Sequence, residues 1–285
     1  MGKFLGFGKS NVAYFPGCAT YHKYRDFFGL YQKIFLKLGI DFELVEKKVC
    51  SGLPAFEAGY EKEARKIARR NFEIFKEAGI KSIITNSPGA YVMFLENYSE
   101  LLPDWDLEIR NLWEVIAEKL AKKSRLIKFK AMEMITFHDS CYLARYSHIY
   151  EEPRQILELI GYQIVEMSDN KMNTMCCGSC GGLRYSNPKL ADEIAKERIV
   201  QAKRLGVKKM IVASVDNYDL LKKNAVGSEI EILELSEVLA LALGIKKEEI
   251  VREEAIDGED EVIKGKNLKE EINDEESIED VDWSK

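Results

Sequence analysis

Short apolar runs rich in Ile, Val and Phe recur along the chain at 12–15, 42–45, 81–85 and 107–110. Runs of that length and composition read as strands buried on both faces of a parallel sheet. Between them, apolar residues recur at helical spacing over about 23–38 and 57–79, and Gly39 and Gly79 stand where C-caps would end those helices. The same order returns in the second half. Residues 152–160 and 188–205 read as helices closed by Gly161 and Gly206. Each copy thus reads as strand, helix, strand, loop, helix, strand, helix.

The recurrence is an internal repeat at a nearly constant offset. Val-Ala-Tyr-Phe running into Cys18 matches Met-Ile-Thr-Phe running into Cys141, and Cys50-Ser-Gly matches Cys176-Cys-Gly. Ile83-Ile-Thr matches Met210-Ile-Val, and Glu108, Glu114 match Glu231, Glu237. Alternating strands and helices imply an α/β fold. We expect two tandem lobes related by a pseudo-twofold axis, each a parallel sheet flanked by helices: residues 1–127 and 128–245. In such sheets the ligand loops gather at the carboxyl ends of the strands, which is where Cys18 and Cys141 fall.

Composition narrows the class. Of the 285 residues, 46% are hydrophobic and 32% charged, which is a globular balance with enough apolar material for a core. Six cysteines are too few for a secreted disulfide scaffold, and no apolar run is long enough to span a membrane. The expectation is a cytoplasmic chain with reduced or metal-bound thiols. Residues 246–285 hold seven Lys/Arg and sixteen Asp/Glu, so the chain's net charge of −6 is concentrated there. That segment reads as an acidic, flexible tail. No dense basic cluster points to nucleic acid, and no G-x-G-x-x-G or Walker sequence points to a nucleotide or flavin on this chain.

The chemistry lies in the cysteines. Thirty-one residues separate Cys18 from Cys50, and thirty-four separate Cys141 from Cys176. The second copy holds four thiols, Cys141, Cys176, Cys177 and Cys180, three of them in the glycine-rich loop Met175-Cys-Cys-Gly-Ser-Cys-Gly-Gly. Glycines allow close backbone approach to an inorganic core, and four thiolates suit an iron–sulfur cluster or a tetrahedral zinc. Cys177-Gly-Ser-Cys180 also has the spacing of a thiol–disulfide motif. Cys18 and Cys50 read as buried or vestigial thiols, with a disulfide or a site shared between the copies as the alternatives.

The segments Phe15-Pro-Gly-Cys18, Cys50-Ser-Gly-Leu-Pro54, His138-Asp-Ser-Cys-Tyr-Leu143 and Cys176-Cys-Gly resemble the cysteine-rich CCG domain family over about residues 12–245. Arg145, Glu152-Pro-Arg154 and Ala195-Lys-Glu-Arg198 extend the likeness. That family includes a subunit of heterodisulfide reductase and the iron–sulfur subunits associated with glycolate, lactate and anaerobic glycerol-3-phosphate oxidation. Its pattern is a Cys, then Cys-Cys-Gly, then a closing Cys-x-x-Cys, and in heterodisulfide reductase each such motif holds a non-cubane iron–sulfur cluster. Here the first copy has Ser51 in the second thiol's place and Ser87-Pro-Gly-Ala90 in place of the closing pair. In the second copy Ser214-Val-Asp-Asn217 replaces the closing pair, and Cys180 is added.

The resemblance implies one cluster, 4Fe–4S cubane or non-cubane, held by Cys141, Cys176, Cys177 and Cys180, with Asp216 or Ser214 as added oxygen ligands and the first lobe empty. It implies an oxidoreductase subunit of a heterodisulfide-reductase-like complex. Electrons would pass between a ferredoxin-like iron–sulfur or flavoprotein partner and a thiol, disulfide or other small substrate. The contrasting reading is a non-catalytic scaffold with structural zinc or no metal. His138 is a candidate proton donor, against a packed and hydrogen-bonded role. Arg145 and Arg154 are candidates for binding a substrate anion or balancing cluster charge, against surface ion pairing. His22 and His148 read as exposed, and Tyr21 and Tyr142 as core.

Overall fold

The computed structural model describes residues 10–44 and 50–245. The predicted acidic tail lies outside the described residues.

The first sheet is built from β1 (Val12–Phe15), β2 (Glu43–Leu44), β3 (Ser82–Thr85) and β4 (Glu108–Asn111). Its order is β2-β1-β3-β4, and every pairing is parallel, with Val12 opposite Ser82 and Ser82 opposite Glu108. The helices are α1 (Arg25–Leu38), α2 (Leu53–Glu57), α3 (Glu61–Glu77), α4 (Pro88–Val92), α5 (Tyr98–Leu101) and α6 (Leu112–Lys122). The second sheet repeats the first, with β5 (Glu133–His138), β6 (Tyr162–Ile164), β7 (Lys209–Val212) and β8 (Glu231–Glu234) in the parallel order β6-β5-β7-β8. Its helices are α7 (Glu151–Leu159), α8 (Leu183–Ser186), α9 (Pro188–Arg204), α10 (Val215–Asn224) and α11 (Leu235–Ala242). The two-lobe parallel α/β architecture is therefore the one the repeat predicts.

The strand order matters for function. The chain steps from β1 outward to β2 and then back across β1 to β3, so the connections leave β1 and β3 in opposite directions. That reversal opens a crevice at the carboxyl ends of those strands, and β5 and β7 form its counterpart. Cys18 and Cys141 each begin a single π-helical turn, Ala19–Lys23 and Tyr142–Tyr146, just past β1 and β5. Such turns are frequent at functional sites.

The lobes share one core. A single apolar cluster runs from Tyr14, Ile34, Phe35 and Leu38 of the first lobe to Phe137, Leu221 and Leu239 of the second. A smaller cluster, including Ala64, Phe75, Phe94 and Tyr98, packs under α3 in the first lobe. Buried polar bonds tie the halves together: Tyr31 donates to Glu234 at 2.9 Å, and the Trp113 indole N–H to the Ala213 carbonyl at 2.9 Å. The repeated glutamates have a structural task. Glu114 and Glu237 close capping boxes at the starts of α6 and α11, with Asn111 and Glu234 as the N-cap residues.

Candidate functional site

Cys141 stands just past β5, at the carboxyl edge of the second sheet, with Cys176, Cys177 and Cys180 of the following loop as neighbours. Cys141 and Cys177 are buried, while Cys176 and Cys180 are half-buried. Cys176, Cys180 and Cys177 all lie near enough to act on the Cys141 thiol. The sulfur of Cys177 is turned to one side, where Asn217 Nδ2 donates to it at 3.2 Å and it lies 3.4 Å from Ser179 Oγ. Among the described residues no three His, Cys, Asp or Glu side chains are gathered as ligands of one metal ion.

Local sequence explains the loop. The Gly178 N–H donates to Cys176 Sγ at 3.3 Å, a turn that needs the left-handed φ of +91°. A Cβ at Gly178 would also stand 2.8 Å from the Ala191 carbonyl oxygen, so α9 can lie against the loop only because this residue is glycine. Ahead of the loop, Arg145 is exposed and donates to the Thr174 carbonyl at 2.8 Å. Its charge favours the Cys176 thiolate, against larger opposing effects.

Those opposing effects come mostly from the thiols. Cys176 is pushed up by its hydrogen bond to Cys141 and by burial. Cys141 is drawn down by Cys176 but raised more by Cys180, burial and neighbouring charge, to about 12. Burial likewise raises Cys177. Thiols crowded in this way ionise together only beside a cation, and the same pull is what makes such a set bind metal with release of protons. Ser140 Oγ and Asn217 Oδ1 are buried near the thiols without a hydrogen-bond partner, as are His138 Nε2 and Thr136 Oγ1 on β5. Unsatisfied polar atoms around a thiol cluster fit a site that binds a further group. Crowded thiols with unsatisfied polar atoms beside them are the donor chemistry that a thiolate-ligated centre uses.

Other expectations are redistributed by the structure. His138 is 1% exposed, and its Nδ1 accepts from Arg198 at 3.1 Å. Burial, and then the Arg198 charge, hold it well below the usual histidine range, so it is a neutral, packed ring. Arg154 is not a surface residue. It is 4% exposed and pairs with Asp139 and Glu166, so its charge is already committed. Asp216 bears on Cys18 of the first lobe, and the Cys177 sulfur is met by Asn217. Asn217 stands where the family's last cysteine falls, and that position was its only signal in the sequence. Tyr142 is an interlobe residue and not core: it bonds to Glu57 and lies against Gly89. His22 and His148 are exposed, as expected.

The fold and these loops define a class. Residues 12–94 and 135–216 match the CCG cysteine-rich domain, and the chain belongs to that family as two copies in tandem. Its relatives include a probable iron–sulfur-binding oxidoreductase, FadF, of Bacillus subtilis, 33% identical over 186 residues, covering 65% of this chain and 26% of the relative. An uncharacterized iron–sulfur protein of Methanocaldococcus jannaschii is 29% identical over 241 residues, covering 81% and 47%. A subunit of the dihydromethanophenazine:CoB–CoM heterodisulfide reductase of Methanosarcina acetivorans is 28% identical over 256 residues, covering 84% and 61%. The chain thus spans from a quarter to three-fifths of the length of these relatives. Among the described residues, no helix is long and apolar enough to cross a membrane.

Proposed function

We propose that this chain is an iron–sulfur redox subunit of a larger, heterodisulfide-reductase-like cytoplasmic complex, with one cluster in its second lobe. The observation that carries the reading is that Cys176, Cys177 and Cys180 all act on Cys141, which stands just past β5 at the switch-point edge of that sheet. An iron–sulfur cluster bound there supplies one-electron transfer. That suits relay between a partner iron–sulfur or flavin subunit and a thiol, disulfide or other small substrate.

The protein residues have distinct tasks in this reading. Cys141, Cys176, Cys177 and Cys180 are the ligands. Arg145, braced on the Thr174 carbonyl, offsets thiolate charge at the exposed side and is available to a substrate anion. Asn217 donates to the Cys177 sulfur and sets its electron density. His138 acts as a buried neutral ring behind the site; its burial argues against exchange of protons with solvent.

Anaerobic purification tests the proposal. Iron and acid-labile sulfide should be found with the chain, together with a broad visible absorption that bleaches on reduction. Cys177→Ala should lose that absorption and keep the wild-type circular dichroism. A colourless protein carrying one zinc would defeat the reading and leave a structural subunit in its place.

A further inference from the structure

Arg198 on α9 is a buried cation without an anion. It is 0% exposed and forms no ion pair with any carboxylate among the described residues. Asp139 and Glu166, whose charge reaches it, are both paired with Arg154. Its hydrogen-bond partners are neutral: Nε donates to His138 Nδ1 at 3.1 Å, Nη1 to Gln201 Oε1 at 2.6 Å and Nη2 to Thr174 Oγ1 at 3.5 Å. An unpaired charge in the interior is destabilising and calls for something of opposite sign beside it. His138 adds a second unmet group. Because its Nδ1 accepts, the proton of the neutral ring is on Nε2, and Nε2 is buried without a hydrogen-bond partner.

Both groups lie behind the cysteine loop. Ala191, Ala195 and Arg198 follow the i, i+4, i+7 spacing of one helix face, and the loop runs along it. At one end a Cβ on Gly178 would stand 2.8 Å from the Ala191 carbonyl oxygen. At the other, Thr174 takes the Arg198 bond and Gln201 Nε2 donates to Met175 Sδ at 3.3 Å. Thr174 Oγ1 also donates to the carbonyl of Asp139, two residues before Cys141. At roughly 1.5 Å per residue the two attachments are about 10 Å apart along α9, and Cys176 and Cys177 are the residues strung between them.

We propose that Arg198 is the fixed countercharge of the second-lobe thiol centre, a positioning residue that holds positive potential behind Cys176 and Cys177 from the α9 side. The inference rests on the redox-subunit reading above and gives that site a source of charge balance within the protein interior. Four thiolates carry twice the charge of a divalent ion, so a centre they hold is left negative. A guanidinium stays protonated even when buried, and in a medium of low dielectric its field acts on that excess with little screening. The contrast with Arg154 is the reason for the choice. Arg154 is nearly as buried, but its two carboxylates cancel its charge, whereas the neutral partners of Arg198 orient the guanidinium and leave its charge intact.

The test uses the full chain carrying Cys18→Ser and Cys50→Ser, so that only the second-lobe thiols remain, reduced, freed of metal and titrated with Cd²⁺ against a chelator. Arg198→Gln keeps a side chain that can donate hydrogen bonds and removes the charge; Arg198→Met removes both. Each should bind Cd²⁺ about tenfold to a hundredfold more weakly than the parent, the effect of one unit charge acting across several Å of protein. In iron-loaded protein a tenfold change corresponds to about 59 mV for a one-electron couple, so the midpoint should become more negative by about that much or more in an EPR-monitored titration. Urea midpoints of the metal-free chains separate folding from binding. A lowered midpoint with unchanged Cd²⁺ affinity would make Arg198 a packing residue and overturn the proposal. So would Arg198→Gln binding as tightly as the parent, which would assign the effect of Arg198→Met to hydrogen bonding. Either result leaves the redox-subunit reading standing. A parent that binds Cd²⁺ and never iron would sink that reading alone, and one that binds neither would sink both.

Discussion

Arg154→Met is expected to be among the most damaging single changes in the second lobe. The guanidinium has five N–H donors, and all five are used: to Glu166 at 2.6 and 2.9 Å, to Asp139 at 2.7 and 2.9 Å, and to the Tyr150 carbonyl at 2.6 Å. The side chains of Arg154 and Asp139 are 5% and 1% exposed. Methionine matches the aliphatic stem but removes the cation, leaving the Asp139 carboxylate buried with the Lys171 N–H at 2.8 Å as its remaining donor. Breaking a buried pair in this way costs about 3–5 kcal/mol. For a domain of this size that corresponds to roughly 6–20 °C in Tm. Urea unfolding followed by circular dichroism should show a lower midpoint at an unchanged slope. Asp139→Asn combined with Arg154→Met should be less damaging than the sum of the two single changes, by about 1–3 kcal/mol. Because the Asp139 carbonyl also accepts from Thr174 Oγ1 at 3.2 Å, hydrogen exchange should rise in the 171–180 loop as well. A single variant that loses less than about 1 kcal/mol, or strictly additive changes, would refute the view that Arg154 exists to neutralise Asp139.

Three further outcomes follow. Burial raises Glu234 from 4.5 to about 8, so between those values the folded chain keeps a proton that the unfolded chain gives up, and stability falls as pH rises through that window. Glu234→Gln should flatten the fall, which is on the order of 4 kcal/mol, in urea midpoints measured from pH 5 to 8.5; an unchanged slope would show that Glu234 is not its source. Gly178→Ala must meet both the positive φ and the Ala191 carbonyl, and should cost about 1–3 kcal/mol and loosen the loop in hydrogen exchange; a neutral result would mean α9 yields. Asn217→Ala removes a donor to the Cys177 sulfur and should make the midpoint potential of the iron-loaded protein roughly 20–60 mV more negative in an EPR-monitored titration. An unshifted midpoint would count against Cys177 as a ligand.

Much of the architecture could be read in advance because it rests on local signals. Ile83-Ile84 and Met210-Ile-Val read as buried strands by composition, and Gly39 is the left-handed C-cap its place suggested. The Cys-Cys-Gly loop was visible as a motif, and its glycine proves to be required by the approach of α9. Partners across the fold were not visible. Arg154 carries the same letter whether it lies on the surface or between Asp139 and Glu166, and only the folded chain brings Glu166 to it. Asp216 and Asn217 are neighbours in sequence, yet one bears on the first lobe's Cys18 and the other on Cys177. A helix start presents adjacent side chains in different directions, which no linear spacing reveals.

The core common to both halves also bears on how the protein is made. The helix α1, with Tyr31, Ile34 and Leu38 in the core, packs against α11, and Tyr31 finds its acceptor in Glu234, 203 residues further on. A nascent chain leaving the ribosome therefore displays this apolar helix, and goes on displaying it, until nearly the whole second repeat has been translated. Apolar surface exposed for that long invites aggregation and chaperone capture. Expressed alone, the first repeat should precipitate, and supplying the second in trans should rescue it.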